Sequence, residues 1–111
     1  MNQIENVDVA RANVLLREGA LLLDVREDDE WEAGHAPMAR HLALSTVPDF
    51  VDDLPRERLI VCVCRSGGRS ARAGQFLLEQ GFDAVNLEGG MNAWHAAGNP
   101  LVSVEGDPRV A

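Results

Sequence analysis

The sequence predicts an α/β fold of three layers, in which a mainly parallel sheet of about five strands lies between two layers of helices. Two observations carry this prediction. Short apolar segments such as Leu21–Val25 and Leu59–Val63 are typical of strands that are buried on both faces of a sheet. Segments with helical periodicity, such as Ser70–Gln80, follow these strands along the chain. Strands that alternate with helices in this way form parallel sheets.

The first third of the chain contains a helix, a strand and a second helix. Asp8 is a suitable N-cap for the first helix, and Gly19 ends it. The apolar segment Leu21–Val25 follows as a strand. The sequence DDEWEAGH is then predicted to form a short helix that ends at Gly34.

The rest of the chain repeats this alternation. After a short strand, Ser45 caps a short helix that runs to about Asp53, with Pro48 in its first turn, where the missing N–H is tolerated. Apolar runs and helical periodicity predict the remaining elements in chain order. The strands are His41–Leu44, Leu59–Val63 and Ala84–Leu87, and the later helices are Ser70–Gln80 and Met91–Ala97.

Composition limits the function classes. The chain has 111 residues and a net charge of -8, and all ten of its basic residues are arginine. Residues 1–103 are predicted to form one domain, with a loose C-terminal tail at 104–111. So acidic a protein is not expected to bind nucleic acid or a membrane surface. Because no apolar run has the length of a membrane span and the N-terminus lacks a secretory-signal pattern, a cytoplasmic location is expected.

The two cysteines, Cys62 and Cys64, are expected to be free thiols. Residues i and i+2 of a strand lie about 6.6 Å apart, at the far edge of disulfide geometry. The three histidines are scattered along the chain and no second cysteine pair exists, so no metal site is expected. Cys62 suits core packing, with a role as a resolving thiol left as the alternative.

The segment CRSGGRS is the candidate site. Only the thiolate of a cysteine is a good nucleophile, and a helix N-terminus and nearby cations lower the pKa of a thiol. Adjacent glycines let the backbone curl so that successive N–H groups form a nest for an anion. We therefore expect Cys64 to be the nucleophile. The anionic substrate is expected to bind to the loop around it, which consists of Arg65, Ser66, Gly67, Gly68, Arg69 and Ser70.

Four segments in order resemble the rhodanese family of sulfurtransferases. CRSGGRS resembles the family's active-site loop, which is approximately Cys-Arg-x-Gly-x-Arg-Ser. LLLDVRE, EWEAGHAPMA and LEGGMNAWHAAGNPL resemble its Asp-Val-Arg strand end, its Gly-His-Ile-Pro-Gly-Ala segment and its closing Gly-Gly…Trp…Gly-x-Pro segment. Two departures, Ala36 at a large aliphatic position and Met38 at a glycine, concern the packing of a loop.

The resemblance implies a rhodanese-like fold and a two-step reaction. Cys64 would take sulfane sulfur from a small anionic donor, thiosulfate or a persulfide, and hold it as a Cys64 persulfide. Cyanide, a thiol or a protein acceptor would then remove the sulfur. No metal or other cofactor is implied. Asp24, Arg26 and His35 match family motifs and are expected to give structural support, Asp24 and Arg26 as an ion pair at a strand end.

Two other function classes stay open. The fold's relatives include cysteine phosphatases and arsenate reductases, which use Cys-x5-Arg, whereas Cys64 and Arg69 form Cys-x4-Arg. The shorter loop gives a smaller ring of amides, which suits a sulfur atom better than a tetrahedral phosphate. The chain could also be a sulfur-carrier or binding module whose partner does the chemistry. As for assembly, a monomer or a weak homodimer is expected.

Overall fold

A computed structural model of the protein describes residues 3–111 and contains one parallel sheet between two layers of helices. The order of the five strands is β1-β5-β4-β2-β3, and every neighbouring pair is parallel. The three-layer α/β/α prediction is confirmed. The strands are β1 (Glu5–Val7), β2 (Leu21–Asp24), β3 (Arg40–His41), β4 (Ile60–Val63) and β5 (Ala84–Leu87), and the helices are α1 (Val9–Arg17), α2 (Asp28–Ala33), α3 (Val47–Phe50), α4 (Gly68–Glu79) and α5 (Gly90–Ala96).

Side chains that alternate along the strands form two separate cores, one on each face of the sheet. Leu23 and Cys62 pack with Leu77 of α4 on one face. Leu22 and Val61 pack on the other face, in a core that also contains Ala12 of α1 and Trp94 of α5. All residues of β2, β4 and β5 are buried, as their continuous apolar pattern predicts.

The structure differs from the sequence prediction at both edges of the sheet. Strand β1 was not predicted, because its sequence ENV is mostly exposed at the edge and shows no apolar pattern. At the other edge, β3 ends at His41, and a 3-10 turn begins at Leu44. The helix predicted from Ser45 is divided into this turn, the short α3 and a second 3-10 turn, Val51–Asp53.

Two backbone hydrogen bonds join α2 to the C-terminal segment, for which the sequence predicts a loose tail. The N–H of Val104 donates to the carbonyl of Glu32 at 3.0 Å, and that of Arg109 donates to the carbonyl of Ala33 at 3.0 Å. This close approach requires glycine at position 34, where a Cβ atom would lie 2.7 Å from the backbone nitrogen of Arg109. Between residues 3 and 111, no helix is both long and apolar enough to span a membrane.

Candidate active site

The CRSGGRS segment lies at the carboxyl end of β4, the central strand of the sheet. Cys64 directly follows β4, and α4 begins at Gly68. Gly67 makes the turn between them with a φ of +118°, a conformation that side chains strongly disfavour. The short connection aims the first N–H groups of α4 back at the cysteine.

Hydrogen bonds to the sulfur of Cys64 come from this turn. The N–H of Gly67 donates to Cys64 Sγ at 3.1 Å, and the hydroxyl of Ser70 lies 3.3 Å from the same atom. Burial alone would raise the pKa of the Cys64 thiol, because it disfavours the charged form. The Ser70 hydroxyl and the backbone N–H groups of Ser70, Gly67 and Ser66 outweigh burial, so the pKa lies below its ordinary value.

The outer side of the loop is held by α5. The N–H groups of Met91 and Asn92 donate to the carbonyls of Cys64 at 2.7 Å and Arg65 at 3.1 Å. Gly90 permits this contact, since a Cβ atom there would lie 2.6 Å from the carbonyl carbon of Arg65 and closer still to the Cys64 oxygen. Sequence reasoning assigned no role to this glycine, although the Gly89-Gly90 pair was a usable signal for close backbone approach.

The two loop arginines have different surroundings. Arg69 forms a forked ion pair with Glu30 of α2, with Nη1–Oε1 and Nη2–Oε2 distances of 2.7 and 2.9 Å. This pair lowers the pKa of Glu30 to about 2 and raises that of Arg69. Arg65 is exposed and has no ion-pair partner among residues 3–111. Among the described residues, Arg65 is therefore the loop arginine without an ion-pair partner, whereas the charge of Arg69 is shared with a carboxylate.

Glu30 is the main charged residue that sequence reasoning missed. It occupies the first turn of α2, where it accepts the N–H of Glu27 at 3.0 Å in a capping box. The capping hydrogen bond orients the Glu30 side chain. Arg69, which is 39 residues further along the chain, binds the Glu30 carboxylate. The position of Glu30 in the EWEAGH segment, which resembles a family motif, was the signal that could have identified it as a site residue.

Asp24 and Arg26 form the ion pair that the sequence predicts, and both side chains are fully buried. Arg26 Nη2 donates to Asp24 Oδ2 and to the carbonyl of Gly34, each at 2.8 Å. The pair therefore ties the end of β2 to the end of α2. It supports the helix that carries Glu30.

His35 contacts the backbone of α2, with Nδ1 at 2.7 Å from the Trp31 carbonyl. Its ring stacks on Trp31 at a centroid distance of 3.6 Å, and His41 also stacks on Trp31, at 4.8 Å. Trp31 itself is half-buried. Of the two departures from the family pattern, Ala36 is fully buried, whereas Met38 is 51% exposed and so does not disturb the core.

The polar groups behind the loop come from the start of α4 and from the strands β5 and β1. Ser70 is fully buried, and its hydroxyl lies 2.5 Å from Asn86 Oδ1 of β5. Asn86 Nδ2 donates to Asn6 Oδ1 of β1 at 2.9 Å and to the Gly67 carbonyl at 3.1 Å. Asn86 and Asn6 were not predicted as site residues. In contrast to the buried Ser70 and Asn86, Gly68 is exposed.

These contacts suit Cys64 to nucleophilic chemistry. The ends of β4 and β5, the start of α4 and the start of α5 all contact the loop. Together they provide a thiol with a lowered pKa, a curved backbone with N–H groups turned inward and, among residues 3–111, one loop arginine without an ion-pair partner. Such an arrangement can form a covalent bond to an electrophilic atom and stabilise negative charge beside it.

Comparisons with known proteins agree with this geometry. Residues 8–97 match the family model "Rhodanese-like domain". The curated protein "Putative sulfurtransferase YtwF" of Bacillus subtilis (strain 168) is 42% identical over 83 residues, which is 75% of this chain and 81% of that protein.

Two solved structures extend the comparison. A rhodanese-related protein from Thermoplasma volcanium superposes with a TM-score of 0.83 at 29% identity, over 91% of this chain and 99% of that one. Reduced CoADR-RHD of Bacillus anthracis superposes at 0.77 with 25% identity, over 82% of this chain but only 16% of that one. With a family model that matches most of its length and a curated relative of the same type, the chain belongs to the rhodanese-like domain family, and this relationship supports a function of the sulfurtransferase type.

Proposed function

We propose that the protein is an enzyme that moves sulfane sulfur from thiosulfate or a persulfide to cyanide or a thiol, by way of a Cys64 persulfide. The observation that carries the proposal is the set of N–H and O–H donors around Cys64 Sγ, which favours a thiolate despite its burial. The similarity to a sulfurtransferase supports the same chemistry.

In the first step, the Cys64 thiolate attacks the outer sulfur of the donor. A bond forms between Sγ and this sulfur, and the bond from that sulfur to the rest of the donor breaks. Its electron pair leaves with sulfite when thiosulfate is the donor, or with a thiolate when a persulfide is the donor. The negative charge of the cysteine ends on the outer sulfur of the new persulfide, within reach of the inward N–H groups of the loop.

In the second step, cyanide or a thiolate attacks the outer sulfur. The S–S bond breaks, its electron pair returns to Cys64 Sγ, and thiocyanate or a new persulfide leaves. Neither step needs a metal or an organic cofactor. Covalent transfer through one nucleophile predicts ping-pong kinetics.

The loop residues have separate roles in this proposal. Arg65 is exposed and unpaired among the described residues, so it would attract the anionic donor at the mouth. Arg69, Ser66, Gly67, Gly68 and Ser70 would form the binding loop, with Arg69 adding a charge that Glu30 partly offsets. Asp24, Arg26 and His35 would support α2 and its carboxylate.

A phosphatase or arsenate reductase is the less favoured alternative. A phosphate dianion is best bound by a free arginine fork, and the fork of Arg69 is occupied by Glu30. The Cys-x4-Arg spacing also gives a smaller ring of amides than Cys-x5-Arg. We therefore expect negligible hydrolysis of aryl phosphates.

Partners and location complete the proposal. A protein acceptor would make the chain a sulfur carrier as well as an enzyme, working as a monomer or a weak homodimer in the cytoplasm. Neither nucleic acid nor membrane is a partner, in keeping with the net charge of -8.

Intact mass spectrometry tests the proposal directly. After incubation with thiosulfate, the wild-type protein should gain the mass of one sulfur atom, and cyanide should remove it and release thiocyanate. Cys64→Ser is the control and should gain nothing. A wild-type protein that gains no sulfur from either thiosulfate or a low-molecular-weight persulfide would contradict the proposal.

A further inference from the structure

The hydroxyl of Ser70 has one proton and three acceptors within reach. Asn86 Oδ1 lies 2.5 Å away, and Cys64 Sγ and the Gly67 carbonyl each lie 3.3 Å away. A serine hydroxyl donates one hydrogen bond at a time, so these acceptors compete. Because Ser70 is fully buried, no solvent-exposed rotamer relieves the competition.

The orientation of the Asn86 amide is fixed by its neighbours. A backbone carbonyl can only accept, so the atom that lies 3.1 Å from the Gly67 oxygen is the Nδ2 donor. The same NH2 group donates its second proton to Asn6 Oδ1 at 2.9 Å. Oδ1 must then face Ser70 as an acceptor, and the short contact favours it over the sulfur.

We propose that Asn86 is a positioning residue that holds the Ser70 proton while Cys64 Sγ carries no charge and yields it when Sγ becomes a thiolate. The proposal rests on the sulfur-transfer function given above. When the persulfide forms, the charge moves from Sγ to the outer sulfur, and the Ser70 hydroxyl turns back to Asn86 Oδ1. The hydroxyl thus follows the charge without any proton leaving Ser70.

The other charged or titratable groups near Cys64 do not orient the Ser70 hydroxyl. Arg69 of α4 is paired with Glu30 of α2, and Glu27 lies near the same arginine. Cys62 of β4 is buried on the same face of the sheet as Cys64. None of these residues makes a hydrogen bond to Ser70 or Asn86 in the part of the chain that the structure describes.

The test is the pH dependence of iodoacetamide alkylation of Cys64, which requires no sulfur transfer. Asn86→Leu removes the competing acceptor at nearly constant size, so the apparent pKa of Cys64 should fall by about one unit, the effect of one hydrogen bond to a charged group. Ser70→Ala should raise it by a similar amount. In the Ser70→Ala background, Asn86→Leu should cause no further shift.

Asn13→Leu is the matched control, because Asn13 pairs with Asn99 far from the site and should leave the profile unchanged. If Asn86→Leu does not fold, Asn6→Ala is the second variant. It changes an exposed residue and removes one hydrogen bond that orients the Asn86 amide, so it should lower the pKa of Cys64 by a smaller amount. An equal shift from Asn86→Leu with and without Ser70 would overturn the proposal, as would an unchanged profile in both Asn86→Leu and Asn6→Ala. Because alkylation is the readout, these outcomes are independent of whether thiosulfate is a substrate.

Discussion

Cys62 and Cys64 are two residues apart, contribute to the same core and are 0% and 1% exposed, yet their thiols have opposite pKa shifts. Burial raises the pKa of Cys62 to about 12, and the nearby Cys64 adds to the effect. The pKa of Cys64 is lowered although burial acts against it, because hydrogen bonds from Ser70, Gly67 and Ser66 reach its sulfur.

The difference teaches that burial within the strand raises the pKa of Cys62, whereas hydrogen bonds available at the end of the strand lower the pKa of Cys64. Within β4 the backbone N–H groups pair with the neighbouring strands, and the Cys62 side chain lies in an apolar core, where burial raises its pKa. Cys64 lies one residue beyond the strand, where the chain turns through Gly67 and the N–H groups at the start of the next helix become available. Five predictions test this contrast.

The largest effect should come from removing each sulfur in turn. Cys64→Ser should lower the rate of thiocyanate formation at least about a thousandfold, because serine is not ionised at neutral pH. Cys62→Val nearly conserves volume and should keep most of the activity. A large loss in Cys62→Val with an unchanged melting temperature would instead indicate a resolving thiol.

Alkylation should separate the two thiols in the native wild-type protein. With a pKa of about 12, Cys62 is ionised in only about one molecule in 10⁵ at pH 7. Iodoacetamide should therefore add one group, at Cys64, and a second only in denaturant, as measured by intact mass and peptide mapping. Equal labelling of both cysteines under native conditions would contradict the opposite pKa shifts of the two thiols.

Displacing the loop backbone should lower the activity that depends on Cys64, although the Cys64 side chain itself is unchanged. In Gly90→Ala the new methyl group would collide with the Cys64 and Arg65 backbone, and misplacement of this kind can lower kcat/KM about 10- to 100-fold. Gly98→Ala is the matched control, since Gly98 also has a positive φ but no atom within 4 Å of the added Cβ. If both variants lose the same activity, backbone strain and not the loop position is responsible.

Removing the loop charge should have a comparable or smaller effect. Arg69→Ala should lower kcat/KM for thiosulfate about tenfold to a hundredfold, because a charge-assisted contact is lost and Glu30 is left unpaired beside the anion. Adding Glu30→Gln should restore part of the loss. Arg65→Ala should mainly raise KM, with a stronger dependence on ionic strength, and the remote Arg11→Ala should change nothing.

The smallest effect should be on stability at low pH. The pKa of Glu30 is about 2 in the folded protein against an ordinary 4.5, so its stabilising contribution is present above pH 4.5 and is lost as the pH falls toward 2. The free energy of unfolding of wild type should exceed that of Glu30→Gln at neutral pH and converge with it near pH 2. Glu32→Gln, exposed on the same helix, controls for the change in net charge. A constant difference across this pH range would contradict the role of the ion pair.

Much of the site could be predicted from the sequence because its signals are local. An apolar strand, a cysteine, two glycines and a helix start lie within a few residues of one another, so neighbouring bonds alone bring the N–H groups to the sulfur. The three buried strands β2, β4 and β5 and the helices α1 and α4 follow from patterns of the same short range.

The remaining site residues depend on the order of the strands. Glu30 reaches Arg69 because β2 lies beside β4, and Asn86 reaches Ser70 because β5 lies on the other side of β4. The edge strand β1, which supplies Asn6, has no apolar pattern and forms only by pairing with β5. The sequence by itself therefore determined which cysteine is the candidate nucleophile, whereas the tertiary structure decided which carboxylate pairs with Arg69 and which amide lies beside the Ser70 hydroxyl. The physical reason is that contacts across 16 or 39 residues are set by strand pairing and packing, which no local pattern records.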